Sequence, residues 1–124
     1  MDKKLKGKSV LVVDDEEMLR TSIADYLGMY GAEVATAENG RVAFKLINQN
    51  RFDVVISDIR MPNGDGIELL RAIDEMRGEK PKCFVCSGFS DFRGVDAQEL
   101  GVLHIFLKPF SNKDLLNAVL KAVS

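Results

Sequence analysis

Apolar and polar positions divide the chain into short continuous apolar runs and longer stretches where apolar residues recur every three or four positions. Val10 to Val13, Val54 to Ile56, Cys83 to Cys86 and Leu103 to Leu107 are strand-length runs, mostly β-branched or aromatic. Continuous apolarity predicts strands buried on both faces, as in a parallel sheet covered by helices. Residues 33–36 (Glu-Val-Ala-Thr) alternate instead, which suits an edge strand. Between the runs lie helical stripes: Leu19, Ile23, Tyr26 and Leu27; then Val42, Ala43, Leu46 and Ile47; then Ile67, Leu70 and Ile73; and last Leu115, Leu116, Val119, Leu120 and Val123. Asp65-x-x-Glu68 and Ser111-x-x-Asp114 open the latter two stripes in capping-box fashion. The stretch from Asp91 to Leu100, interrupted by Gly94 and closed by Gly101, is read as the remaining helix, fourth in chain order.

The resulting order is β-α repeated five times, the signature of an open parallel α/β sheet. A length of 124 residues is that of one domain, and an eight-fold barrel needs about twice as many. In open α/β sheets ligands sit beyond the carboxyl ends of the strands, at a topological switch point.

Composition narrows the classes. Apolar residues make up 46% of the chain and charged residues 29%, with a net charge of −2. That is too apolar for disorder and carries no basic field for nucleic acid or a membrane surface. Lys3, Lys4, Lys6 and Lys8 precede an apolar run, but Asp14 and Asp15 stop it at Val13. A secretory leader needs roughly 7–15 apolar residues and a membrane span about 20. The expected location is the cytoplasm.

The strand ends carry the chemistry. The first run ends in Asp14-Asp15, the third strand in Ser57-Asp58, the fourth in Ser87-Gly88 and the fifth in Lys108-Pro109. Three close carboxylates repel one another, and a single lysine does not neutralise them. A hard divalent cation does, and Mg²⁺ favours a few carboxylate or carbonyl oxygens completed by water. Phosphoryl transfer needs placement and neutralisation of equatorial oxygen charge, which such a cation, Lys108 and the Ser87 hydroxyl can supply. On this reading Asp58 is either a third metal ligand or a nucleophile that forms an aspartyl phosphate.

Asp14-Asp15-Glu16 after Leu11-Val12-Val13, the stretch Asp58-Ile59-Arg60-Met61-Pro62-Asn63-Gly64-Asp65-Gly66, Ser87-Gly88 and Lys108-Pro109-Phe110 together resemble the receiver domain of two-component response regulators. The resemblance runs from about Ser9 to the C-terminus, and its four motifs occur in order. It implies a flavodoxin-like (βα)5 doubly wound parallel sheet of strand order 2-1-3-4-5, with residues 1–124 as a single receiver domain. It implies that Asp58 accepts phosphoryl from the phosphohistidine of a sensor histidine kinase or phosphotransfer protein. Mg²⁺, with Mn²⁺ as a substitute, would be held by Asp15 directly, by Asp14 mainly through water, by Asp58 and by the backbone carbonyl of Arg60. Lys108 would pair with Asp58 and then with its phosphoryl group, and Ser87 would move toward that group. A downstream protein or output domain would dock on the face of the fourth helix, fifth strand and fifth helix. The same resemblance implies a cis Lys108-Pro109 bond, while the charge balance predicts no direct contact with nucleic acid or membrane.

One position departs from the family pattern: Ile105 stands where an aromatic residue commonly precedes the lysine by three. Phe106 is next to it but should face the opposite side of the strand. Two rival readings follow. A pseudo-receiver binds partners without phosphorylation, though it usually lacks an acidic or lysine position present here. A small aspartate-nucleophile phosphohydrolase would show Asp-x-Asp on the first strand and a cap, whereas the acids here are adjacent. Cys83 and Cys86 spell C-x-x-C, yet residues three apart in a strand face opposite ways, so they are read as small buried residues. His104 is read as a surface or packing residue on an edge strand.

Overall fold

The computed structural model describes residues 3–61, 66–87 and 101–123. Strands β1 (Ser9–Val13), β2 (Glu33–Ala37), β3 (Val54–Asp58), β4 (Lys82–Ser87) and β5 (Val102–Leu107) form one parallel sheet in the order β2-β1-β3-β4-β5. Helices α1 (Glu17–Met29), α2 (Gly40–Gln49), α3 (Gly66–Asp74) and α4 (Asn112–Val123) are those among the described residues. The helix expected over Asp91 to Leu100, the Asp65 cap and Gly88 lie outside them.

Side-chain alternation along the strands divides the core into two layers. Leu11, Val13, Val55, Cys83 and Val85 pack with Ala43 and Ile47 of α2 and Leu69, Leu70 and Ile73 of α3. Val10, Val12, Ile56, Phe84, Cys86 and Phe106 pack with Ile23 and Leu27 of α1 and Leu115, Leu116 and Val119 of α4. The sheet is thus covered on both faces, which accounts for the apolar runs without alternation in β1, β3 and β4. Cys83 and Cys86 fall in opposite layers, as their spacing requires. Phe106 is buried against Phe84 and Phe110, whereas Ile105 is half-buried.

Two expectations need correction. The run Leu103 to Leu107 reads as a strand buried on both faces, but Leu103 is 53% exposed and Leu107 55%. The cause is position: β5 is the last strand of the sheet and pairs on one side only, with β4. Val42 of the second stripe is also exposed, because the buried side of α2 is formed by Ala43 and Ile47. Elsewhere local chemistry does what the sequence asks. Ser111 Oγ accepts the Asp114 amide at 3.0 Å and opens α4, and Asn39 Oδ1 accepts the Val42 amide at 2.9 Å and opens α2.

Candidate functional site

The strands share a direction, so their carboxyl ends meet at one rim. Asp14 follows β1, Asp58 and Ser87 are the last residues of β3 and β4, and Lys108 follows β5. Registers Val13↔Ser57, Asp58↔Cys86 and Ser87↔Leu107 bring these ends level.

Each buried carboxylate is fixed through one oxygen and offers the other. Asp58 Oδ1 accepts the Ile59 amide at 2.8 Å, and its Oδ2 lies 3.2 Å from Lys108 Nζ. Asp14 Oδ1 accepts the Glu16 amide at 2.9 Å, and its Oδ2 lies 3.6 Å from the same ammonium. Asp15 is exposed beside them, and carboxylate oxygens of Asp14, Asp15 and Asp58 all lie within 4.8 Å of one another. Lys108 is a quarter exposed, so it can reach incoming groups without leaving the acids. Its backbone amide donates to the Ser87 carbonyl at 2.9 Å, across a chain that continues through a cis Lys108-Pro109 bond. Ser87 is fully buried, and its Oγ has no hydrogen-bond partner among the described residues. A buried hydroxyl without a partner is costly, which marks Ser87 as a donor awaiting an acceptor. Arg60 is exposed two residues beyond Asp58. All the side chains expected at the site from sequence therefore stand at the same rim.

Electrostatics fit a cation. One ammonium faces three carboxylates of an all-oxygen set, the donor chemistry of Mg²⁺. Burial raises the Asp14 carboxyl to about 6, with the Glu16 amide opposing and the Asp58 charge adding to the rise. Burial likewise lifts Asp58 above the ordinary carboxylate range, and Lys108 only partly offsets it. For Lys108, burial acts downward, but the Asp58 and Asp14 charges outweigh it and hold the ammonium above its usual value. The consequence for stability has a definite sign. An acid whose folded pKa is raised destabilises the fold once both states are ionised, and the penalty disappears as pH falls through about 6 toward 4. For Asp14 the penalty at neutral pH is about 2–3 kcal/mol. Metal-free protein should therefore lose about half of this penalty between pH 7.5 and pH 5, and Asp14→Asn should not. Thermal melting of both proteins in EDTA at the two pH values checks this, and identical pH dependence would refute it.

Three contributors are not evident from sequence. Ser57 Oγ donates to the Asp58 carbonyl at 2.8 Å. Gly66 presses against the same carbonyl, and its amide donates to the Ile59 carbonyl at 2.8 Å. Arg20 donates from a guanidinium nitrogen to the Asp14 carbonyl at 2.8 Å. The available signal for Arg20 was its place one turn after Glu16, since helical side chains lean toward the N-terminus. A cleft of about 700 Å³ lies at the opposite ends of the strands, bordered by Lys8, Asp53 and Lys82, and holds none of the rim residues.

This topology, with acids at the ends of the first and third strands and a lysine after the fifth, is that of a response regulator receiver domain. The chain belongs to the response regulator receiver domain family, whose profile matches residues 10–120. It is 34% identical over 119 residues to the transcriptional regulatory protein PrrA of Mycobacterium tuberculosis, covering 96% of this chain and 51% of that protein. It is 35% identical over 119 residues to the phosphate regulon transcriptional regulatory protein PhoB of Pseudomonas aeruginosa, with coverages of 94% and 52%. The chain thus spans about half the length of these curated relatives. Among solved structures, a response regulator receiver protein from Pseudomonas putida superposes with a TM-score of 0.84 at 33% identity, covering 92% of this chain and 96% of that one. The chemotaxis response regulator CheY4 of Vibrio cholerae gives 0.82 at 29%, with coverages of 93% and 98%. The family is one of signalling switches. Among the described residues, no helix is long and apolar enough to cross a membrane.

Proposed function

We propose that this chain is a Mg²⁺-dependent phosphoryl-accepting switch, with residues 1–124 as one receiver domain and Asp58 as the acceptor. The carrying observation is the convergence at one rim of carboxylate oxygens of Asp14, Asp15 and Asp58 within 4.8 Å of one another, with Lys108 3.6 Å from Asp14 and 3.2 Å from Asp58. Asp58 is the central member, since its Oδ2 contacts Lys108. A carboxylate oxygen of Asp58 attacks the phosphorus of a donor phosphohistidine. The new O–P bond forms as the P–N bond breaks, and the imidazole leaves with the electron pair and is reprotonated from solvent. Asp15, Asp58 and the Arg60 carbonyl would hold Mg²⁺ directly and Asp14 mainly through water, and the ion would supply charge neutralisation at the phosphoryl oxygens. Lys108, already beside the attacking carboxylate, neutralises further charge, and Ser87 Oγ gains the acceptor it lacks.

The donor is a sensor histidine kinase or a phosphotransfer protein in the cytoplasm. Phosphorylation adds about −1.5 to −2 charge units at neutral pH, enough to bias a loop with two arrangements. The readout is a change in protein contacts, at the surface that includes β5 and α4. The exposed Leu103 and Leu107 of β5 favour that surface for a downstream protein or output domain.

Intact mass after incubation with a small phosphoramidate tests the reading. With Mg²⁺ the protein should gain one phosphoryl group, and fragment mapping should place it on the peptide containing Asp58. With EDTA the gain should vanish. Because an acyl phosphate can be short-lived, the same samples are titrated with beryllofluoride, which mimics the phosphorylated carboxylate. Neither an adduct nor Mg²⁺-dependent beryllofluoride binding would reject the proposal in favour of a partner-binding pseudo-receiver.

A further inference from the structure

The turn that joins β1 to α1 has to hold two adjacent acids while their mutual repulsion works to spread them. Its fastenings among the described residues are three. Glu16, the residue before α1, makes no side-chain cap of its own. The Asp14 amide donates to the Ala37 carbonyl at 3.1 Å, which anchors the entry to the turn. Asp14 Oδ1 accepts the Glu16 amide, which sets the direction of that carboxylate. The remaining handle is the Asp14 carbonyl, and it accepts from the Arg20 guanidinium at 2.8 Å. A peptide unit is planar, so holding the Asp14 carbonyl also fixes the Asp15 amide and the peptide plane between the two acids. Arg20 is half-buried, and its own amide donates to the Glu16 carbonyl at 3.0 Å. The guanidinium therefore reaches back from a rigid helical turn. That turn belongs to a helix anchored in the core by Ile23 and Leu27.

We propose that Arg20 is a positioning residue for the acidic site: it locks the Asp14-Asp15 peptide so that both carboxylates meet a divalent cation without rearrangement. This rests on the reading of the rim as a Mg²⁺ site. Two effects of Arg20 oppose each other, and the difference makes the role measurable. As a cation near the three acids it opposes Mg²⁺ by simple Coulomb repulsion, so its removal on that account tightens binding. As a lock on the turn it favours Mg²⁺, so its removal weakens binding. Groups that orient metal ligands typically contribute roughly 10–100-fold in affinity, and a partly exposed charge is screened by salt. The positioning effect wins.

The test is Mg²⁺ titration, followed by calorimetry or by amide chemical shifts, on wild type, Arg20→Met and Arg20→Lys, each at low and at physiological salt. Thermal melting of each protein establishes that it is folded. Arg20→Met should bind Mg²⁺ about tenfold more weakly. Arg20→Lys, which keeps the charge and one donor, should fall between the two. In metal-free samples the Glu16 amide should exchange its hydrogen faster in Arg20→Met than in wild type, because its acceptor on Asp14 is no longer held still. Arg20→Met that stays folded and binds Mg²⁺ as tightly as wild type, or more tightly, overturns the proposal. Unchanged Glu16 exchange overturns it as well. Failure of the wild-type protein to bind Mg²⁺ would instead reject the underlying metal-site reading.

Discussion

Asp58→Asn should abolish phosphoryl acceptance while leaving a protein that melts no lower than wild type without metal. The two halves of this expectation have separate causes. An amide has nearly the shape of a carboxylate, and its oxygen can still accept the Ile59 amide that Asp58 Oδ1 accepts at 2.8 Å. Burial is the leading influence on Asp58, and it acts against the charged form, so a neutral group at this buried position removes a cost. Lys108 keeps Asp14 as a partner, 3.6 Å away. Function behaves differently, because an amide oxygen is too weak a nucleophile to open a P–N bond and the metal site loses one of three carboxylates. Intact mass with a phosphoramidate and Mg²⁺ should show no adduct, and a melting scan in EDTA should show the variant intact. An adduct formed at the wild-type rate would place the acceptor elsewhere. A variant that melts well below wild type would show that the Asp58–Lys108 pair outweighs the cost of burial.

Gly66→Ala should do the reverse and damage the fold and the site together. A Cβ at this position would lie 2.1 Å from the Asp58 carbonyl oxygen and 2.9 Å from the Ile59 Cα. Both neighbours are backbone, so no side chain can swing away to relieve the clash. The first turn of α3 must lift from the end of β3, and the 2.8 Å bond from the Gly66 amide to the Ile59 carbonyl goes with it. Overpacking of this kind costs about 3 kcal/mol, the upper part of its usual range, and a domain of this size has only about 5–15 kcal/mol to lose. A drop of about 10 °C in melting temperature is expected, taking roughly 3–4 °C per kcal/mol for a domain of this length. Mg²⁺ affinity should weaken as Asp58 moves. A drop of less than 2 °C would show that the helix accommodates the methyl group by a small shift.

How far the sequence alone reaches differs from feature to feature. Asp14, Asp58, Ser87 and Lys108 are legible because each ends an apolar run, and parallel strands must deliver their ends to one rim. The strand order is less so: periodicity yields five βα units, and the order came from the resemblance. The exposure of Leu103 and Leu107 is hidden because the apolarity of their run outweighs the single hint of an edge strand that His104 gives. Arg20 is hidden because a helical arginine is ordinarily solvated, and only the folded turn shows what it grips. Gly66 enters the sequence reading only as the end of the Asp58–Gly66 stretch; that it sits against the Asp58 carbonyl is a fact of packing between two elements. The parity of Ile105 and Phe106, in contrast, follows from strand geometry and holds in the structure, where Phe106 alone of the two is buried.

The separation of the two cysteines gives the molecule a built-in pair of unfolding reporters. Cys83 sits in the layer under α2 and α3, and Cys86 in the layer under α1 and α4. Burial pushes both thiols up to about 12, so neither presents a thiolate to an alkylating reagent while its layer is closed. A thiol becomes reactive only when the helices above it part from the sheet. Labelling at each position therefore reports the opening of its own side of the sheet, with no residue added to the native chain.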